Sequence, residues 1–402
     1  MALIVQKFGG SSVADTECIQ RAAWLIAEKY SEGNDLIVVV SAQGETTDEL
    51  IEKARQLNSE PSKREMDVLL STGEQASSAL MSMALEKIGM PSVSLTGWQV
   101  GIQTDSNYGF ARIKAISSER IRAELDRRRI VIVAGFQGVN KFDDITTIGR
   151  GGSDTTAVAI AAIMKADLCQ IFTDVEGIYT SDPRHVPGAR KLEEITYDEM
   201  LELASLGAQV LQNRSVEMAK RYGVDLEVLS SFERKPGTKV KEVTRVEQGK
   251  ISGVAKDANI ARIALVGLRD EPGVAFKVFR VLAQADINVD IILQSIGRED
   301  TKDISFTVAK ADISRASEAL TEHKKVIGYN DMSVDDKVAK VSIVGAGMMS
   351  SAGVAALMFE ALYDAKVNIG MISTSEIKVS VLVDESDADR AVSAIHAKFF
   401  EN

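Results

Sequence analysis

Gly149-Arg150-Gly151-Gly152-Ser153-Asp154-Thr155-Thr156 joins glycines, a guanidinium, a carboxylate and hydroxyls, and runs directly into the apolar, alanine-rich residues 157–166. The second part reads as a buried helix. The first part reads in two ways. Glycines let backbone approach a ligand, N–H groups at a helix start attract anions, and Arg150 can grip a carboxylate or phosphate with two parallel hydrogen bonds. Equally, the stretch can be a glycine-rich turn with Ser153 or Asp154 as helix cap.

A second glycine loop, at the other end of the same domain, favours the ligand reading. Residues 2–8 form an apolar strand candidate that reaches Lys7 and Phe8, turns at Gly9-Gly10-Ser11-Ser12, and continues as a helix over residues 14–30. The lysine precedes the glycines, so this is not a P-loop. Backbone N–H groups with Lys7 beside them can still surround phosphates; the alternative is a tight turn with a solvated lysine.

Residues 36–40 read as a strand buried on both faces. They end in Ser41-Ala42-Gln43-Gly44 and Thr46-Thr47, a polar loop where open α/β sheets bind ligands, although Ser and Thr also simply form turns. Residues 64–88 read as a helical stretch interrupted at Ser71-Thr72-Gly73-Glu74-Gln75. Glu74 is there either a first-turn acid facing the helix dipole or a carboxylate for a substrate ammonium. Further strands are expected at 92–95, 130–134, 168–173 and 226–229, with helices at 118–129, 197–206 and 210–222. Residues 173–184 form a long polar loop with Tyr179, able to pack on a base, and Arg184, able to pair with phosphate. Lys235-Pro236-Gly237-Thr238 closes the domain with a turn. Alternating strands and helices imply a mostly parallel sheet between helices.

After Val243 one pattern occurs twice. Residues 262–267, a Gly273-led helix and Asn288-Val289-Asp290 correspond to residues 340–345, a Gly353-led helix and Asn368-Ile369-Gly370. Phe279 answers to Phe359, Leu282 to Leu362, Ala285 to Ala365 and Asn288 to Asn368. Each copy continues with a strand (304–308; 378–383) and a helix (313–326; 388–399), giving β-α-β-β-α with a final strand still required. Residues 332–335 supply it for the first copy. The second copy has none left, so residues 250–255 are expected to complete its sheet, with the first copy inserted within the second.

Whole-chain properties narrow the function. A net charge of −11 argues against non-specific nucleic-acid binding. Cys18 and Cys169 are the only cysteines, too few for a disulfide framework or a thiolate zinc site. No apolar run has the length of a membrane span, and residues 1–8 lack a signal peptide's basic start, so the expectation is a cytoplasmic protein without nucleic-acid or membrane partners.

Lys7-Phe8-Gly9-Gly10-Ser11-Ser12, Ser71-Thr72-Gly73-Glu74, the Gly149–Asp154 loop and Thr173-Asp174-Val175-Glu176-Gly177, in this order and followed by the repeat, resemble the aspartate kinase family. That family has the amino acid kinase fold; its paired tail modules are ferredoxin-like βαββαβ ACT domains. The resemblance covers essentially the whole chain. It implies a catalytic domain over 1–243, a first ACT domain over 258–337, and a second over 338–402 completed by a strand at 250–257.

It further implies transfer of phosphate from ATP, with Mg2+, to the side-chain carboxylate of L-aspartate, the entry step to lysine, threonine and methionine. Lys7, Phe8, Gly9 and Gly10 would face the phosphates. Ser41, Thr47, Glu74, Arg150, Ser153 and Asp154 would hold aspartate, with Lys7, Arg150 and Asp154 carrying the chemistry. Thr173, Asp174, Tyr179 and Arg184 would line the nucleotide, together with Gln209, where relatives often carry a lysine. Asp270, Val274, Ala275, Asn288, Val289, Asp290 and Gln294 would form an effector pocket for lysine and/or threonine. Its counterpart, Ala352, Val354, Asn368 and Ile369, has no acid matching Asp270. A homodimer through the ACT domains, or a higher assembly, is also implied. No protein ligand to the metal is assigned.

The inventory suits such chemistry. A carboxylate is already ionised at neutral pH and needs no general base, so the protein must overcome anion repulsion and stabilise the moving phosphoryl group. His185, His323 and His396 need no catalytic role. Two rivals remain: a kinase of the same fold acting on acetylglutamate or glutamate, the former opposed by Glu74 as a free-ammonium acceptor and by the twin tail, and a non-catalytic amino-acid sensor, against which the intact Lys7, Arg150 and Asp154 speak.

Overall fold

The computed structural model describes residues 2–206, 210–242, 251–295 and 300–401, the side chains of Met349 and Ser350 excepted. The chain divides into two compact units, one holding residues 2–179, 191–205 and 210–242, the other built from residues 180–190 and 251 onward.

The first unit is organised by an eight-stranded sheet in the order Glu194–Thr196, Thr238–Lys241, Leu226–Ser230, Leu168–Thr173, Leu3–Phe8, Asp35–Val40, Ile130–Ala134, Ser92–Leu95. All neighbours are parallel except Leu226–Ser230 with Thr238–Lys241. The chain therefore does not end the domain at the Lys235–Thr238 turn; it returns as a further strand. The central strands are apolar throughout because both faces are covered. Ile4, Phe8, Leu36, Val38, Val40, Ile130 and Ile132 pack against helices Thr16–Ser31 and Lys63–Lys87. By strand alternation Val5, Ile37, Val39, Val131 and Val133 face the other layer, where helix Gly152–Met164 lies. A small sheet, Ile113–Ile116, Ile102–Thr104, Gln137–Val139, Ile145–Thr147, completes the unit. Its strands are too short for sequence periodicity to reveal.

Residues 63–87 form one uninterrupted helix, contrary to the break expected at Gly73. A Cβ at Gly73 would lie 2.8 Å from the Ala42 Cβ, so this glycine lets the helix approach the loop after Asp35–Val40 rather than ending the helix. Glu74 is thus a mid-helix residue and not a first-turn acid.

The second unit holds two four-stranded sheets. One is ordered Ile292–Gln294, Thr301–Ala309, Ile260–Arg269, Asp331–Asp335; the other Gly253–Asp257, Val338–Val344, Lys378–Asp384, Met371–Thr374. Gly253–Asp257 runs antiparallel to Val338–Val344, Gly253 opposite Val344 and Asp257 opposite Lys340. The strand that precedes the first module in sequence therefore belongs to the second module's sheet. Helices Val274–Gln284 and Ile313–Glu322 cover the first sheet, Val354–Asp364 and Ala388–Phe400 the second. The modules meet through Ile260, Ile291, Val338, Met371 and Leu382, and through an ion pair between Lys340 and Asp290. No helix among the described residues is long and apolar enough to cross a membrane.

Candidate functional site

The ends of three neighbouring strands build the site. Lys7 is the penultimate residue of Leu3–Phe8, and its Nζ lies 2.5 Å from Asp154 Oδ1, both side chains being about nine-tenths buried. Asp154 sits in the first turn of Gly152–Met164, where the helix dipole favours an anion. That helix is capped by Gly151, at φ +71°, with no side-chain cap, so neither Ser153 nor Asp154 serves as the N-cap. A Cβ on Gly9 would stand 3.4 Å from Lys7 Nζ, and one on Gly10 would press to 3.0 Å on the Ala42 carbonyl. The Gly44 N–H donates to the Gly10 carbonyl at 3.1 Å and the Ser41 N–H to the Phe8 carbonyl at 3.1 Å, joining the first two loops. The Phe8 ring is in the core, stacked on Phe172 at 4.6 Å, so only its backbone remains to face a ligand.

Glu74 enters from helix Lys63–Lys87. Its Oε1 accepts the Ala42 N–H at 3.1 Å, while the buried Oε2 has no hydrogen-bond partner. Burial pushes its carboxyl up to about 7, the Ala42 bond opposing this only in part. Such a carboxylate becomes comfortable as an anion only when a cation arrives beside it.

The loop carrying Arg150 is fixed by two residues that sequence reading did not single out. Asp67 accepts hydrogen bonds from the Thr147 N–H (2.9 Å), the Thr147 hydroxyl (2.7 Å) and the Gly109 N–H (3.0 Å). Arg214 donates to the carbonyls of Ile148 (3.0 Å) and Ala111 (2.8 Å). Burial raises the Asp67 carboxyl and lowers the Arg214 guanidinium. Gly149 follows at φ +88°, and a Cβ on Gly151 would overlap the Gln212 side chain. The Arg150 side chain itself is 88% exposed, 3.7 Å from Asp48. Ser153 packs on Gly135, where a Cβ would meet its hydroxyl at 2.7 Å. Ser41 and Thr47 are half-buried at the neighbouring strand end, Thr47 in the first turn of helix Thr46–Leu57.

At the end of Leu168–Thr173, the Thr173 hydroxyl donates to the Asp174 carboxylate at 3.0 Å, and the Thr173 carbonyl accepts the Ser231 N–H at 2.9 Å. Tyr179 bridges to Lys191, and burial raises its phenol. Arg184 belongs to the second unit, its guanidinium forked onto the Asp182 carboxylate at 2.7–3.1 Å. Gln209 lies outside the described residues.

In the first module of the second unit, Asp270 is paired with Lys302 at 2.9 Å and Asp290 with Lys340. Gly273, at φ +94°, caps the helix that starts at Val274 and Ala275. Val274 is 1% exposed, so its side chain is core and only its backbone is free for a ligand; Val354, 4% exposed, is placed likewise in the second module. Asn288 and Gln294 are exposed, Val289 half-buried; Ala352 and Asn368 are exposed, Ile369 half-buried.

Residues 2–230 match the family model of the amino acid kinase family, and residues 263–323 and 341–399 that of the ACT domain. The chain is 51% identical to an aspartokinase of Mycolicibacterium smegmatis over 405 aligned positions, covering 99% of this chain and 96% of that protein. It resembles E. coli aspartokinase III solved with aspartate and ADP in the R-state, with a TM-score of 0.83, 26% identity, and 99% and 100% of the two chains covered. The same enzyme solved with lysine and aspartate in the T-state gives a TM-score of 0.78 at 27% identity, with 99% of each chain covered. An amino acid kinase fold with paired ACT domains, together with half-identity across nearly the whole length, places this chain in the aspartate kinase family.

Proposed function

We propose that this chain transfers the γ-phosphoryl group of ATP to the side-chain carboxylate of L-aspartate, giving 4-phospho-L-aspartate and ADP, the first step toward lysine, threonine and methionine. The observation that carries the reading is the buried Lys7–Asp154 pair at the Gly9-Gly10 loop, with the half-satisfied Glu74 bonded to the adjoining Ala42. The E. coli complex with aspartate and ADP supports it.

The chemistry is positional and electrostatic. An oxygen of the substrate carboxylate, ionised at neutral pH, attacks the γ-phosphorus; the new O–P bond forms as the bond to the bridging oxygen breaks, and ADP leaves with that charge. The Gly9 N–H is donated to the Phe172 carbonyl at 3.2 Å, so the turn at Gly10 would offer backbone N–H to phosphate oxygens, with Gly9 allowing close approach. Lys7, fixed by Asp154, offsets the charge on the moving group. Glu74 and Asp154 suit the ammonium of aspartate, and Arg150 suits a carboxylate, with Ser41, Thr47 and Ser153 as hydroxyl contacts. Thr173, Asp174, Tyr179, Arg184 and Gln209 take the nucleotide side. The described residues form no cluster of three or more His, Cys, Asp or Glu that could hold a metal. A Mg2+ bound with ATP would supply neutralisation of phosphate charge.

Feedback by lysine and/or threonine belongs to the same proposal. A pocket for an amino acid needs an acid for the ammonium and helix-start N–H groups for the carboxylate, and Asp270 with the Gly273-capped helix offers both. The lysine complex of the E. coli enzyme supports a lysine effector. The ACT domains over 258–337 and 338–402 (with 250–257) would also form a homodimer or higher assembly, which the exposed edge strand Ile292–Gln294 favours. ADP release measured with L-aspartate, L-glutamate and N-acetylglutamate tests the substrate: only aspartate should support turnover. Titration with lysine, threonine and both names the effector.

A further inference from the structure

Three neighbouring strands of the large sheet, Leu3–Phe8, Leu168–Thr173 and Leu226–Ser230, are keyed to one another in successive layers. Gln6, Gln170 and Glu227 are register partners: Gln6 Nε2 donates to Gln170 Oε1 at 3.0 Å, and Gln170 Nε2 donates to Glu227 Oε2 at 2.8 Å. Two residues further on, the rings of Phe8 and Phe172 stack. Where the strands end, the Gly9 N–H donates to the Phe172 carbonyl at 3.2 Å and the Ser231 N–H to the Thr173 carbonyl at 2.9 Å.

The last layer is made by side chains. The Ser231 hydroxyl donates to the Ser12 hydroxyl oxygen at 2.8 Å, with the Thr173 carbonyl also in reach at 3.2 Å. Ser12 is 1% and Ser231 4% exposed. Ser12 belongs to the glycine turn: its N–H donates to the Gly9 carbonyl at 3.0 Å, within one helical turn over Ser11–Val13. Ser230 shapes the other side, its hydroxyl accepting the N–H groups of Phe232 (3.1 Å) and Glu233 (3.2 Å). Ser231 thus ties the Gly9-Gly10 turn to the Thr173 loop, from a strand that offers no residue to the proposed ligand contacts. Packing does not demand the pair. Two buried hydroxyls that satisfy each other can be exchanged together for apolar groups at little cost in stability. What their bond adds is a fixed separation between two loops.

We propose that Ser231 is a positioning residue for ATP: through Ser12 it holds the Gly9-Gly10 turn at a set distance from the Thr173 loop, so that the phosphates and the nucleoside end are received together. This rests on the reading of those two loops as nucleotide contacts.

The test compares kinetics and melting temperature of the full-length protein with Ser231→Ala, Ser12→Ala, both together, Ser231→Thr, and Gly9→Ala, whose methyl would stand against Lys7. One buried hydrogen bond corresponds to about a fivefold change in affinity, so Ser231→Ala and Ser12→Ala should each raise KM for ATP by about that factor. Both kcat and KM for aspartate should stay within about twofold, a split that general loosening of the fold would not give. The double alanine variant should melt close to the parent, while its KM for ATP stays as high as in either single variant. Ser231→Thr, which keeps the hydroxyl, should behave as the parent. Losses that multiply in the double variant, or a loss in Ser231→Thr equal to that in Ser231→Ala, would assign the effect to packing and overturn the positioning role. If Gly9→Ala raises KM for ATP while Ser231→Ala and Ser12→Ala do not, the role is likewise overturned and the nucleotide reading of the loop stands. If Gly9→Ala leaves KM for ATP unchanged, the loop does not face ATP, and the proposal falls with that reading.

Discussion

Lys7 and Asp154 meet at 2.5 Å although one is the penultimate residue of the first strand and the other lies in the first turn of a helix far along the chain. Because the pair is largely buried, each charge depends on the other. Lys7→Met should lower kcat by about 10²–10³, the cost of losing one donor aimed at developing charge. Asp154→Asn should lower kcat/KM for aspartate more than KM for ATP changes. The double variant should be barely worse than Lys7→Met alone, which steady-state kinetics on all three proteins would show.

Glu74 sets a pH dependence whose sign follows from its raised pKa, about 7 against an ordinary 4.5. Between these values the folded protein keeps a proton that the unfolded chain has released. Stability is therefore full below about pH 4.5 and falls as pH rises to about 7, by about 3 kcal/mol in all. Glu74→Gln should flatten that slope in denaturant titrations. Under the proposed role, an arriving ammonium must displace the proton, so KM for aspartate should rise up to about tenfold per pH unit below 7, and this rise should vanish in Glu74→Gln.

Asp67 touches no proposed ligand, yet it holds the Thr147 and Gly109 backbone on which the Arg150 loop rests. Asp67→Asn replaces an acceptor of three bonds by a group that must also bury donors. A loss of about 1–3 kcal/mol in stability is expected. KM for aspartate should rise more than KM for ATP. Equal changes in both would place the Asp67 contribution in general stability instead.

Asp270 is paired with Lys302 at 2.9 Å. If it receives the effector's ammonium, Asp270→Asn should raise the concentration for half-inhibition by about tenfold or more, the scale of one charge-assisted contact. Unchanged inhibition in dose–response curves would place the effector elsewhere.

The sequence made legible whatever depends on backbone demand or repetition. The glycine loops at Gly9-Gly10 and Gly149–Gly152 reveal themselves because close approach and positive φ exclude other residues. The duplicated modules are readable because each copy checks the other, and the second copy's shortage of a strand pointed upstream to the segment that pairs with Val338–Val344. Gly73 misled: within a single sequence, a glycine for helix approach looks the same as a helix break. Asp67 and Arg214 were invisible because their partners, Thr147, Gly109, Ile148 and Ala111, are brought to them only by the fold. Phe8, Val274 and Val354 lie in site motifs, but their side chains serve the core.

The most direct measurement is hydroxylamine trapping of the acyl phosphate from ATP, Mg2+ and L-aspartate, in parent, Lys7→Met and Glu74→Gln proteins. Aspartyl hydroxamate should form with the parent, be nearly abolished in Lys7→Met, and need far more aspartate in Glu74→Gln. A folded parent protein that yields no hydroxamate from aspartate, or yields it only from another acid, would contradict the proposed reaction.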